Sequence, residues 1–413
     1  MNLRRILLPW CAAQALCWIA VQQAGAQHFL DELDDSLFVE SSNGMFRSDL
    51  SALWDLQAYY IDQRPPALLV SNDKLLFNPR LAFFVDTVVG EHFYSLVQVR
   101  VDGGFDAGTS ESPDVRADEY LLRYSPFSDD RLRMQAGKFA TVVGNWVARH
   151  DSWHNPFVNA PLPYENLTTV SDRSLPADSG GLVARRDLAD NKFTWMPVVW
   201  GPSYGTGFSV SGLVRWFEYA LEIKNTALSS RPGEWDGFDR GLGNPTWSAR
   251  LGFRPNAAWR LGTSFSTGPY LNEKAKVLVP PGTDIDDFDQ TTLAVDGAWS
   301  WRHWEVWAEL FLSRFEVPNA GDADTLAYYL EARYGLTPDW ALAGRWNQQL
   351  FDEKADSSGG RGNWDRDTWR VDAAVTRQFG RHWQLRIQYS YTLKDGPLQQ
   401  GEQAPSLQLT LKF

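Results

Sequence analysis

A chain of 413 residues, 44% hydrophobic and 22% charged, has the length of one large domain or two to three ordinary ones. Its formal charge of −12 excludes a nucleic-acid binder, which needs a basic face to displace phosphate counterions. Its 20 Trp and 14 Tyr exceed what a water-soluble core needs.

In chain order, MNLRR is a basic start, ILLPWCAAQALCWIAV is apolar, and Ala24 and Ala26 place small residues before Gln27. That pattern predicts an export signal over 1–26, too short to be a spanning helix. Both cysteines, Cys11 and Cys17, lie inside it, so the mature chain would hold no thiol for a disulfide or a metal. Losing Arg4 and Arg5 makes the remainder more acidic still. Residues 27–45, with FLDELDD at 29–35, are expected to be a short periplasmic segment.

From residue 46 to 413 the recurring signal is strict alternation of apolar and polar residues. LSALWDLQAYY (50–60), HFYSLVQVRVD (92–102), GFSVSGLVRW (207–216), TWSARLGFR (246–254), HWEVWAELFL (303–312), TLAYYLEARYGL (325–336), DTWRVDAAVT (367–376), WQLRIQYSYTL (383–393) and SLQLTLKF (406–413) all show it. Period two means a strand with one apolar and one polar face. Together with weaker segments this gives roughly 16 to 18 strands, the uncertainty lying in residues 180–200. Tight turns at Gly90-Glu91, Pro255-Asn256, Arg302-His303, 337–339 and 380–382 alternate with polar loops at 62–79, 103–117, 226–245, 267–290, 351–366 and 394–405. Short connections on one side and long ones on the other predict an all-β fold: a transmembrane antiparallel barrel with periplasmic turns and extracellular loops.

Trp259, Trp304, Trp340 and Trp383 each follow a tight turn and open a strand. A β-propeller also repeats at about this period, but would place four strands in each repeat instead of two. Tryptophan at every other strand mouth fits a girdle at the lipid headgroups.

The longest connection, 140–179, follows QAGKF and contains NWVARHDSWHNPF (145–157) and NPFVNAPLPYEN (155–166). His150 and His154 stand four apart, with Asp151 and Ser152 between them. A zinc site would need a helix, a third ligand and Glu directly after the first histidine. A hydrolase would need Ser152, a histidine and an aspartate to converge, which neighbours in an extended loop do not do. A loop folded into the lumen, stiffened by proline and anchored by aromatics, would instead narrow a channel. Its expected constriction residues are Lys138, Arg149, His150, Asp151, His154, Asn155 and Glu165. By parity, Arg100, Arg123, Arg133, Arg215, Arg250, Arg260, Glu305, Glu309, Arg345 and Arg386 are expected to line the pore, with acids and bases nearly balanced. The acidic run DIDDFDQ (284–290) lacks the glycine and glutamate of an EF-hand loop and reads as a solvated loop. No catalytic residue, metal site or cofactor is expected.

The signal segment, the cysteine-free remainder and the closing LQLTLKF with terminal Phe413 resemble the Gram-negative outer-membrane porins. PRLAFFVDTVVGEHFYSLVQVRVDGGFD (79–106) and QAGKFATVVGNW (135–146) look most like the phosphate-selective porin group and its relatives. That resemblance implies an outer-membrane location among lipid and lipopolysaccharide, passive diffusion of small hydrophilic solutes, and a channel lined by lysine and arginine. It also implies recognition of the Phe413 strand by the barrel-assembly machinery, and a homotrimer, which porins often form. Competing readings are a membrane-embedded barrel hydrolase and a structural barrel with a plugged lumen.

Overall fold

The computed structural model describes residues 23–62, 68–69, 71, 73–108, 112–235, 241–396 and 401–413. The expected signal segment falls outside the described residues up to position 22. Helix α1 (Gln23–Asp34) and a three-residue strand, Phe38–Glu40, precede the main sheet. The main strands are β1 (Phe46–Tyr60), β2 (Leu75–Val89), β3 (Phe93–Asp102), β4 (Asp114–Tyr124), β5 (Arg133–Phe139), β6 (Gly205–Val214), β7 (Phe217–Lys224) and β8 (Thr246–Asn256). They continue with β9 (Trp259–Pro269), β10 (Asp289–Trp301), β11 (Trp304–Val317), β12 (Gly321–Gly335), β13 (Trp340–Phe351), β14 (Thr368–Phe379), β15 (Trp383–Lys394) and β16 (Glu402–Lys412). Each pairs antiparallel with its neighbour, and β16 returns to β1 from Ser406–Tyr59 to Lys412–Leu53. The result is a closed 16-strand barrel.

The alternation read from sequence places each face. On β11, Glu309, Phe311, Ser313 and Phe315 are buried inside, while Leu310 and Leu312 stand exposed outside. An outer belt of Leu, Val, Phe and Trp exposed to surroundings is stable only against lipid. Trp259, Trp304, Trp340 and Trp383 are the first residues of β9, β11, β13 and β15, all on the rim of tight turns.

Pro79 and Pro405 lie inside strands without costing a ladder bond. Pro79 pairs with Leu56 on β1, but β3 joins β2 only from Leu81. Pro405 pairs with Tyr389 on β15, but β1 joins β16 only from Ser406. Each sits where one neighbour is missing, so its absent N–H is not needed. Strand β2 therefore starts at Leu75, within the loop expected over 62–79.

Residues 180–200 form no barrel strand. They hold helix α2 (Ser179–Ala184), and Thr168 bridges to Met196 across the loop. Their apolar side chains Leu182, Val183, Met196 and Trp200 pack among themselves and with Phe315 and Trp364. The strand count is thus 16, and the loop expected over 140–179 runs from 140 to 204.

Leu330 on β12 points outward at 53% exposure, between Ala308 and Trp346. Leu330→Arg is expected to cost about 2–4 kcal/mol of folding free energy in lipid vesicles, read from the shift in urea midpoint. An unshifted midpoint would mean this face does not meet hydrocarbon.

Candidate functional site

The loop 140–204 enters the barrel and lies against one half of its wall. Irregular backbone at membrane depth must find its hydrogen bonds in protein or lumen water, and here the wall supplies many of them. Thr141 Oγ1 donates to Glu222 at 2.7 Å, and Arg250 donates to the Gly144 carbonyl at 3.0 Å. Glu309 accepts from the Asn145 N–H, from the Trp146 N–H at 2.9 Å and from the Tyr164 hydroxyl at 2.6 Å. Gly144 permits this approach: its φ is +81°, and a Cβ there would crowd the Tyr164 hydroxyl and stand 2.7 Å from Glu309 Oε1.

Further along, Arg149 pairs with Glu331 at 2.5 Å and lies over the Trp307 ring at 4.3 Å. Arg386 donates to the Ser152 carbonyl at 3.0 Å, and Arg345 to Asn159 Oδ1 at 2.6 Å. Arg370 pairs with Glu165 at 2.5 Å. Beneath these bonds Val143, Trp146, Val147, Tyr164, Val198 and Val199 pack against Ala294, Phe311 and Tyr329 of the wall. The loop is clamped by polar bonds and seated on an apolar strip.

Two cavities lie on the opposite side, between the loop and the wall of β15, β16 and β1–β4. A cavity of about 710 Å³ opens toward the long-loop rim, and one of about 310 Å³ toward the turn rim. Both are lined by Arg80, Arg100, His150 and Ser152, which form the waist between the two cavities.

At and beside the waist, three adjacent strands carry arginines, each paired with a carboxylate; Arg116 lines the larger cavity alone. Arg80 pairs with Asp55 at 3.0 Å, Arg100 with Asp118 at 3.0 Å, and Arg116 with Asp102 at 2.7 Å and Asp118 at 2.8 Å. The arginine side chains are 26%, 22% and 25% exposed, whereas Asp55, Asp118 and Asp102 are 6%, 1% and 6% exposed. The arginines are thus more exposed than the acids they pair with, although Asp102 and Asp114 also line the larger cavity and Asp55 the smaller.

The residues expected at the constriction separate. His150 borders both cavities, Asn155 and Glu165 line the larger, and Asp151 and His154 line the smaller. Arg149 is turned into the wall, and the Lys138 ammonium donates to the Ala117 carbonyl at 2.9 Å; neither lines a cavity. Of the residues expected to line the pore, Arg100 faces the passage. Arg250, Glu309, Arg345 and Arg386 hold the loop instead. Arg123 bonds Gln135 at 3.0 Å, Arg260 pairs with Glu218 at 3.1 Å, Glu305 pairs closely with Arg333, and Arg133 with Asp130. None of these lines either cavity. Arg215, expected on the lumen wall, is an exposed turn residue with φ +58° between β6 and β7. Arg80 and Arg116 went unnoticed. Arg80 alternates with Ala82 and Phe84 and could have been found by parity; Arg116 falls in the expected loop 103–117, beside a register shift at Gln98/Val99.

The two histidines part ways. His150 Nδ1–H donates to the Val147 carbonyl at 2.6 Å, and its Nε2 accepts from the Tyr204 hydroxyl at 2.9 Å, which the neutral tautomer satisfies. Burial keeps its pKa below the ordinary histidine value. His154 is exposed, and its Nδ1 bonds Asp151 at 2.7 Å, which raises its pKa. The Ser152 Oγ bonds neither ring and has no hydrogen-bond partner among the described residues. Neither a zinc pair nor a nucleophile–base pair is assembled here. The acidic run 284–290 is likewise spent locally: Asp284 and Asp287 form a capping box, and Asp286 accepts from Asn244 at 2.6 Å.

Glu309→Ala would strand two backbone N–H groups and the Tyr164 hydroxyl. A loss of roughly 1.5–3 kcal/mol per charged bond, less than additive, is expected as a lower thermal midpoint. Protease access to 140–204 is expected to rise. For His154, stability from the Asp151 pair is present below about pH 6.5 and lost as pH rises through the raised pKa. The stability difference between the native chain and His154→Ala is thus expected to be largest in mild acid and to vanish in alkali. A flat difference would remove the pair from the account.

No family model and no curated protein matches the sequence. Solved structures do match. OmpF of Salmonella typhi, in complex with daunomycin, has a TM-score of 0.57 at 12% identity, covering 91% of this chain and 100% of that one. The anion-selective porin of Comamonas acidovorans gives 0.57 at 9% identity, covering 89% and 100%. The outer-membrane channel DcaP of Acinetobacter baumannii gives 0.55 at 11% identity, covering 91% and 99%. At such identities the likeness is one of fold. The chain has the fold of the Gram-negative outer-membrane porins.

Proposed function

We propose that this chain is a porin-type channel of the outer membrane, passing small hydrophilic solutes and ions by passive diffusion. The route runs between the loop 140–204 and the wall of β15, β16 and β1–β4, and the filter is the waist bordered by Arg80, Arg100, His150 and Ser152. The observation that carries this reading is that two cavities opening toward opposite rims share those four residues. No chemical step is assigned.

The filter favours anions, because Arg80, Arg100 and Arg116 are 22–26% exposed there while their partners Asp55, Asp118 and Asp102 are 1–6% exposed. The same reading assigns residues 1–26 to export, the Phe413 strand to recognition by the assembly machinery, and the native state to a trimer among lipid and lipopolysaccharide.

Purified protein in a planar bilayer is expected to conduct potassium chloride, with a reversal potential under a salt gradient that reports chloride preference. In Arg100→Gln the preference is expected to fall several-fold while conductance persists. Absence of conductance would overturn the channel, and an unchanged reversal potential in the variant would overturn the filter.

A further inference from the structure

The larger cavity has an organisation that a filter for small inorganic ions does not require. One side is a polar wall of Arg80, Arg100 and Arg116, paired with the less exposed Asp55, Asp118 and Asp102 and, at Arg116, with Asp114. Much of the rest is apolar: Leu68, Leu69, Phe105, Val158 and Phe193 line it, and the greater part of its surface is apolar. Phe105 is fixed there, stacked on Trp200 at 5.6 Å and edge-on to Phe193 at 5.5 Å. A volume of about 710 Å³ falls in the range of small-molecule sites.

We propose that this cavity binds an aromatic monocarboxylate, with the ring on the apolar side and the carboxylate on the arginines. A planar carboxylate fits the guanidinium fork, and acids behind each arginine hold the fork in orientation. Apolar surface gains from covering a ring and gains nothing from a hydrated inorganic ion. A cation of the same shape would meet the arginine arc. The site therefore departs from simple phosphate selection, where charge alone would suffice.

The inference deepens the channel reading and relies on it for the route, but not for binding. The probes are benzoate, benzyl alcohol and inorganic phosphate. Calorimetry on the purified full chain in detergent is paired with block of chloride current in a bilayer. Benzoate is expected to bind and to reduce chloride current at concentrations at least about tenfold lower than phosphate, and benzyl alcohol to do neither. Arg116→Gln is expected to weaken benzoate about tenfold. Arg116→Lys, which keeps the charge and loses the fork, is expected to fall between and serves if the first variant does not assemble. Equal competition by phosphate, or unchanged benzoate affinity in the Arg116 variants, overturns the proposal while leaving a conducting channel intact. Benzoate binding in detergent without bilayer conductance would do the reverse.

Discussion

Irregular backbone placed inside a membrane barrel must have its hydrogen bonds supplied, and this constraint organises the molecule. The loop 140–204 carries many N–H and C=O groups into the lumen. Glu222, Arg250, Glu309, Arg345, Arg370 and Arg386 answer them from the wall. Charges that in an open barrel would face water are here committed to holding one piece of chain. The commitment is one-sided. It leaves β1–β4 facing a space where arginines are neutralised by acids on neighbouring strands and not from across the lumen.

Much of the barrel was legible in sequence because period-two alternation reports burial directly. The four tryptophans marked the strand mouths because an indole suits the headgroup region wherever the barrel turns. Residues 180–200 were ambiguous because short apolar runs pack equally well in a strand or in a folded loop. Leu182, Val183 and Met196 took the second course.

The site was less legible. That a long loop would fill the lumen followed from its length and composition. Which way each side chain turned did not, since it depends on which half of the wall the loop leans against. Arg149 and Lys138 point into the wall, while His150, one residue after Arg149, borders the passage. Parity separated lumen from lipid, yet could not separate the half of the lumen that clamps the loop from the half that borders the cavities. Arg345 and Arg100 look alike in sequence and do opposite work.

The seat of Gly144 on Glu309 has a consequence for time as well as shape. A loop bonded at Thr141, Gly144, Arg149, Asn159 and Glu165 along its course is a fixed partition, not a swinging gate. Current through such a passage would be quiet, with fluctuations set by solutes entering and leaving rather than by the protein's own movement.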